Sequence, residues 1–292
     1  MEEENQVILT IGTFLVALVG ALFAWGRLGS LLSRPRWQKE NYRGRVIVGV
    51  SGVFVVLIEV LVIGNLYWGF SGALYGAHAL AALILVLAFG LLGWIDDTRA
   101  EKTGGGLQGH LETAISDGTF STGMLKLVAG ILVSFGAVII ADVGDGLVGL
   151  ARSAAIVALG ANLLNLLDRA PARSSKVALL WFLTLLVLTA ALGDSYSVVH
   201  LIWASGVVGA SVGLVPSELM ERHMQGDTGA NATGAVLGFS TVLVGSSVAE
   251  WIALGVLAVL NLASERTSFS QVIAENATLD RLDRLGAQHR KK

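Results

Sequence analysis

The sequence predicts an all-α protein, a polytopic transmembrane helical bundle of about nine spans (nine to ten), with its N-terminus outside and its C-terminus in the cytoplasm. Three observations predict it. The chain is 54% hydrophobic and only 14% charged, whereas soluble domains carry about 25% charged residues; its mean hydropathy is +0.70. Apolar stretches long enough to cross a bilayer recur along its whole length. And all but one of its 20 Lys and Arg residues fall on the same side of the resulting spans, the side that the positive-inside rule makes cytoplasmic.

Taken in order, the predicted spans cover residues 6–25, 46–66, 74–95, 123–141, 147–164, 177–192, 195–215, 230–246 and 248–263. The acidic start, Met1-Glu-Glu-Glu-Asn5, lacks the basic region of a cleavable signal, so the first run is read as a retained span. Basic residues fill the first loop (Arg27, Arg34, Arg36, Lys39, Arg43, Arg45), recur at 99–126 and 169–176, and end the tail. Only Arg152 lies toward the other face. Loops on the outer side, at 67–73, 142–146, 193–194 and 246–247, are short. Residues 1–264 thus form one membrane domain and 265–292 a basic cytoplasmic tail. The chain has no cysteine, which excludes disulfides, thiolate metal sites and a cysteine nucleophile.

Polar groups gather where spans reach the cytoplasmic face. Asp96-Asp97 closes the third span, and carboxylates beside hydrocarbon need a cation or a function to keep them. Being adjacent on a helix, the two cannot face the same way. Asn162-Leu-Leu-Asn165-Leu-Leu-Asp168 closes the fifth span, its polar groups spread over an arc of about 120°. Gly226-Asp227-Thr228-Gly229 opens the eighth, where free N–H groups and the positive helix end suit a phosphate and Asp227 offers a hard oxygen to magnesium. Each has a plainer explanation: a solvated helix end, interhelical amide bonding, an N-cap. The loop at 98–122 carries Gly104-Gly-Gly-Leu-Gln-Gly109-His110 and leads to Lys126, glycines and cations that could approach a phosphate chain or simply form a flexible connection. Glu59 lies inside the second span; Arg152 and His200, near the outer surface, are read as snorkelling. Two Asn-Ala-Thr matches to a glycosylation site, at Asn231 and Asn276, face the cytoplasm and are set aside.

Three such motifs in this order and topology resemble the polyprenyl-phosphate N-acetylhexosamine-1-phosphate transferases, the family of the phospho-MurNAc-pentapeptide translocase and the GlcNAc-1-phosphate transferases. The resemblance runs from about Lys39 to Gly238. It implies a multi-pass protein of the bacterial cytoplasmic membrane, working in cell-envelope glycan synthesis with its active site facing the cytoplasm. The implied reaction moves a sugar-1-phosphate from a UDP-amino sugar to a polyprenyl phosphate, releasing UMP, with Mg2+ or Mn2+ as cofactor. Carried over by position, Asp227 and Asn165 resemble metal ligands, Asp96 and Asp97 the acidic pair acting on the lipid phosphate, and Asn162 and Asp168 the lining of the nucleotide-sugar site. Lys39, His110 and Lys126 fall near basic and loop positions of the family. A homodimer is a family expectation, and no nucleic-acid partner is expected.

The chain departs from that pattern in three places. The family's glycine-rich acidic segment is replaced by Asp168-Arg-Ala-Pro-Ala-Arg-Ser-Ser-Lys176. His223 stands where the cell-wall enzymes have several histidines, and no tenth span is visible. Arg169, Arg173 and Lys176 are therefore expected to face an anionic donor, and a UDP-linked amino sugar smaller than the pentapeptide donor is expected to fit. Electrostatics make charge the central problem of such a reaction: two like charges 6 Å apart repel by about 2.8 kcal/mol at an effective dielectric of about 20. Asp227 with a metal, helped by Lys126, Arg43 and Arg45, is expected to relieve it. Two other readings stand beside this one: a transporter or flippase with a polar path through Glu59, Asn162 and Asn165, and an inactive relative serving as a scaffold. The crowding of polar groups at one face favours the enzyme.

Overall fold

The fold was obtained as a computed structural model that describes residues 3–69, 73–99, 122–192 and 198–287. Among the described residues, nine long helices follow the nine predicted segments: α1 (Glu3–Leu28), α2 (Val53–Gly69), α3 (Ala73–Thr98), α4 (Thr122–Ile140), α5 (Gly146–Leu167), α6 (Arg173–Leu192), α7 (Ile202–Leu219), α8 (Gly226–Val244) and α9 (Ser247–Arg266). Six of them, α1, α3, α5, α6, α7 and α9, are long and apolar enough to cross a membrane; the apolar stretches of α2 and α4 are shorter. Their outward faces carry the apolar side chains that lipid would cover, such as Ile8, Leu61, Leu132, Val187 and Leu262.

Helix α8 is the exception and the centre. Glycine, threonine, serine and asparagine make up much of it, and nearly all of it is buried. It packs against α3, α5, α7 and α6, so its small side chains allow the close backbone approach that membrane interfaces favour. Two faces of the bundle depend on it: one against α3, where Gly93 meets the backbone of Asp227 and Thr228, the other against α5, where Gly234 meets Gly160 and Ala161 and Gly238 meets Ile156 and Val157.

The all-helical expectation needs one correction. Residues 46–48, predicted as the start of the second span, form instead the second strand of a short antiparallel hairpin, β1 (Gln38–Glu40) with β2 (Val46–Val48), in which Lys39 opposes Ile47. The β-branched run Val46-Ile47-Val48 suits a strand. The turn is fixed by Asn41, whose Oδ1 accepts from the Arg43 and Arg45 N–H groups at 2.9 and 3.0 Å. Periodicity alone could not separate this strand from the apolar helix that follows it. The hairpin also holds a neighbouring segment in place. Met224 N–H donates to Val48 O at 2.8 Å, and Gly52 N–H to Gln225 O at 3.0 Å, so β2 anchors the residues leading into α8.

At the other end of α5, Arg152 does not snorkel. It is buried, donating to Glu250 Oε2 at 3.0 Å and to Ser247 Oγ at 2.9 Å, while Ser153 Oγ also donates to Glu250 Oε2 at 3.0 Å. The cation that the sequence leaves isolated is thus neutralised inside the protein. His200 lies in a 3-10 turn (Val198–Leu201), its ring 5.5 Å from that of His78.

Candidate active site

The ends of α3, α4, α5 and α7 converge on the start of α8. An α-helix begins with backbone N–H groups that have no partner within the helix. Here four successive ones are each accepted by a carboxylate from elsewhere in the chain. Gln225 N–H donates to Glu218 Oε1 at 3.0 Å, Gly226 N–H to Asp168 Oδ2 at 2.9 Å, Asp227 N–H to Asp97 Oδ1 at 3.1 Å and Thr228 N–H to Asp97 Oδ2 at 2.9 Å. Thr228 Oγ1 donates to Asp97 Oδ2 as well, at 2.7 Å. Three acids from three helices therefore cap one helix. The expectation that these N–H groups cradle a phosphate is overturned, because the donors are already taken.

Two glycines make the geometry feasible. Gly226 has φ +70°, a conformation that side chains disfavour, and a Cβ on it would strike the Gly49 carbonyl and the Asp97 carboxylate. A Cβ on Gly93 would strike the Asp227 carbonyl and the Thr228 N–H, so α3 can approach the start of α8 only with glycine at the crossing.

The adjacent acids part company as helix geometry requires. Asp97 turns inward, its side chain wholly buried, and its Oδ1 accepts from Lys39 Nζ at 2.6 Å. Asp96 faces out, with 47% of its side chain exposed, beside the half-buried Asp227. The Lys126 ammonium lies between these two, donating to Asp96 Oδ2 at 3.1 Å and making a short contact with Asp227 Oδ2. Asn165 Nδ2 donates to the same Asp227 oxygen at 3.1 Å. Asp96, Asp227, Asn165 and Lys126 are the groups that an incoming molecule would meet.

Other predicted residues lie elsewhere. Asn162 donates to Asn261 Oδ1 of α9 at 2.6 Å. It sits at the edge of the polar arc on α5, and that edge faces α9 rather than α8, so interhelical bonding accounts for it. Asp168 is buried; burial pushes its carboxyl up to about 7, against the opposing effect of the Ser174 hydroxyl and the Gly226 N–H that it accepts from. Arg43 and Arg45 do not reach the site, because both pair with the buried Glu221. His110, with the glycine-rich stretch 104–109, falls outside the described residues.

Residues 169–176 bring the clearest correction. Arg173 clamps Asp283 with two bonds, Nε to Oδ1 at 2.7 Å and Nη2 to Oδ2 at 2.9 Å, and its Nη1 donates to Ser270 Oγ at 2.9 Å. Lys176 Nζ donates to the Asp283 carbonyl at 2.6 Å. Two cations expected to face a donor are instead consumed in docking the C-terminal arm, where α10 (Phe269–Glu275) and α11 (Ala277–Asp283) follow α9. Asp283→Asn is expected to release this arm, since a half-strength acceptor replaces a bidentate charge-assisted pair. Limited proteolysis checks it: cleavage between residues 267 and 287 should accelerate about tenfold or more, as expected for loss of more than about 1.4 kcal/mol of docking energy, and an unchanged rate would show that the clamp does not hold the arm.

Behind the site lies a polar layer that the sequence did not disclose. Glu218 Oε2 accepts from Ser175 Oγ at 3.2 Å, and Gln225 Nε2 donates to Ser175 Oγ at 2.6 Å. His223 is held between Ser51 Oγ and Ser217 Oγ, each 2.6 Å from a ring nitrogen, with the Trp25 ring at 3.8 Å. Glu218 was detectable by the reasoning applied to Asp97, an acid at the inner end of an apolar span; the serines were not. Burial, and secondarily the charge of Arg222, hold the His223 imidazole down at about 3. An unfolded histidine titrates near 6.5, so the unfolded chain takes up a proton that the folded protein refuses. The stabilising contribution is complete above about pH 6.5 and falls by about 1.4 kcal/mol per pH unit below it. His223→Gln is expected to remove this slope: between pH 7.5 and 5 the wild type should lose about 2 kcal/mol more than the variant, as read from unfolding in detergent. Parallel pH profiles would contradict the buried neutral imidazole.

The partly exposed donor set suits a hard divalent cation. Among the described residues no cluster of three or more His, Cys, Asp or Glu side chains is placed to hold a metal, but magnesium commonly takes one or two carboxylates and completes its shell with water and substrate phosphate. Asp96 and Asp227 supply such oxygens, the Asn165 amide, whose Nδ2 faces Asp227, would add its Oδ1 on turning over, and the Lys126 ammonium lies between the two carboxylates where a cation would sit. The chain matches no family model and no curated protein.

Proposed function

We propose that the protein transfers a sugar-1-phosphate from a UDP-amino sugar to a polyprenyl phosphate at the membrane surface. The observation that carries this reading is the partly exposed group of Asp96, Asp227, Asn165 and Lys126 at the joint end of several apolar helices. Such a place is within reach of both a water-soluble nucleotide and a lipid phosphate. The bundle is proposed to span the bacterial cytoplasmic membrane nine times with this end in the cytoplasm.

In the reaction, an oxygen of the lipid phosphate bonds to the sugar-linked phosphorus. The bond from that phosphorus to the bridging oxygen breaks, and UMP leaves with the electron pair. The second pKa of a phosphate monoester is about 6, so the attacking group is mostly dianionic at neutral pH and needs no strong base. Asp227 and Asn165, with Asp96, would hold Mg2+, or Mn2+ in its place, and the metal would supply charge neutralisation to the diphosphate. Lys126 would release its carboxylates to the metal and turn its ammonium to a phosphate oxygen. Asp97 takes no chemical part: it holds Lys39 and the start of α8.

Glu59 gives the transporter reading little support. It is fully buried and has no hydrogen-bond partner among the described residues, while Asn162 is engaged by Asn261, so the three proposed stations are not joined. Only residues 220–225 connect α7 to α8, which leaves little chain to embrace a peptide and favours a small donor. The test is incubation of purified protein with polyprenyl phosphate, Mg2+ and a panel of UDP-sugars. UMP should appear with UDP-GlcNAc or a close relative; turnover of UDP-MurNAc-pentapeptide alone would refute the donor assignment, and no UMP from any donor would refute the reaction.

A further inference from the structure

Two sets of arginines stand apart among the described residues. Arg43, Arg45, Arg152, Arg173 and Arg284 each pair with a carboxylate. Arg27, Arg34 and Arg36 pair with none among the described residues and lie over aromatic rings instead. The Arg34 and Arg36 guanidinium carbons are 5.3 and 4.5 Å from the centre of the Trp37 ring, and that of Arg27 is 5.4 Å from Phe23. All three arginines are exposed.

The segment that carries them is built, not loose. Leu32 is buried in a small apolar cluster with Val48, Val50 and Phe54, against which Trp37 and Trp94 pack. The Trp37 and Trp94 rings are 5.5 Å apart. Gly49 N–H donates to Trp37 O at 2.8 Å, and Gln38 Nε2 to Ser33 O at 3.2 Å. Beside the arginines, Phe23, Leu28 and Leu31 are 63%, 46% and 62% exposed. A ledge of cations with a bare apolar flank, anchored by tryptophan, matches the level at which a bilayer passes from headgroup to acyl chain.

We propose that residues 23–37 form a binding site for an anionic phospholipid, its headgroup phosphate held by Arg34 and Arg36 and its acyl chains lying along Phe23, Leu28 and Leu31. Guanidinium is suited to phosphate oxygens in a forked geometry, and stacking on Trp37 pre-sets two of them at one place. A free anion would use the arginines and leave the apolar flank uncovered; a phospholipid covers both. The site adjoins the candidate active site through Trp94, one turn before Asp97 and Thr98, but does not depend on the transferase reading.

The test uses the full chain purified in a neutral detergent, with its melting temperature followed as phosphatidylglycerol is added. Phosphatidylglycerol should raise the melting temperature and phosphatidylcholine of the same chains should not. An arginine near an anionic lipid surface contributes about 1 kcal/mol, so R34Q/R36Q should move the half-effective phosphatidylglycerol concentration upward about 30-fold. R36Q alone, the variant to use if the double variant does not fold, should move it about fivefold. R281Q, which removes an exposed arginine elsewhere, should leave it within about twofold. An unchanged midpoint in the Arg34 and Arg36 variants, an equal effect of phosphatidylcholine, or the same shift from soluble glycerol phosphate would each overturn the proposal.

Discussion

Asp97→Ala should cost the folded protein about 3–5 kcal/mol, the scale of breaking a buried, paired charge. The substitution leaves Lys39 without its carboxylate and strands three donors: the N–H groups of Asp227 and Thr228 and the Thr228 hydroxyl. Each stranded buried donor costs about 1–3 kcal/mol, and part of the loss is recovered because Lys39 is 36% exposed and can turn to water. Asp97→Asn keeps one acceptor and should fall between wild type and alanine. Unfolding in mixed micelles gives the ordering. An alanine variant as stable as wild type but without turnover would mean that Asp97 acts in the chemistry, contrary to its burial.

The opposite signature belongs to Asp227→Asn. Its side chain is 22% exposed, and Lys126 retains Asp96 when the charge on Asp227 is lost. The fold should therefore stay within about 1 kcal/mol of wild type. Turnover should fall by about 10²–10³-fold, the usual loss when one preorganised electrostatic contact to developing charge is removed. Release of UMP under saturating donor is the measurement, and a rate within about threefold of wild type would remove Asp227 from the mechanism. Together the two variants separate holding the site from performing its chemistry, a distinction that activity alone would miss.

The helices and the meeting of their polar ends were legible because each rests on local signals. An apolar run sets a helix, and Asp96, Asn165 and Asp227 lie at the ends of such runs. What stayed hidden depends on partners far along the chain. Asn41 meets Glu221, Arg173 meets Asp283, and Glu218 is recognisable as a cap only once Gln225 is known to begin the turn before α8. Arg43, Arg45, Arg173 and Lys176 look like free cations in the sequence because their partners, carboxylates for the arginines and the Asp283 carbonyl for Lys176, sit 100 or more residues away, where no spacing rule reaches. The apolar strand β2 is hidden for a different reason: a short apolar run has no periodicity that separates it from the helix beside it, and it also pairs with residues just before α8.

The triple cap on α8 also bears on how the chain enters the membrane during synthesis. Asp97, Asp168 and Glu218 all precede Gln225, so the ribosome delivers every acceptor before the helix that needs them. Helix α8 is not among the six that are apolar enough to cross on their own account, and its glycines, threonines and Asn231 would be poorly received by lipid. It is expected to partition into a cradle that its elders have already assembled, instead of entering the bilayer first and docking later. A reporter fused after Val244 gives the check. Presented alone, α8 should insert inefficiently; with residues 1–225 ahead of it, insertion should be near complete, and that gain should shrink when Asp97 and Asp168 are both alanine. Equal insertion in every context would mean that the order of the acids along the chain has no part in biogenesis.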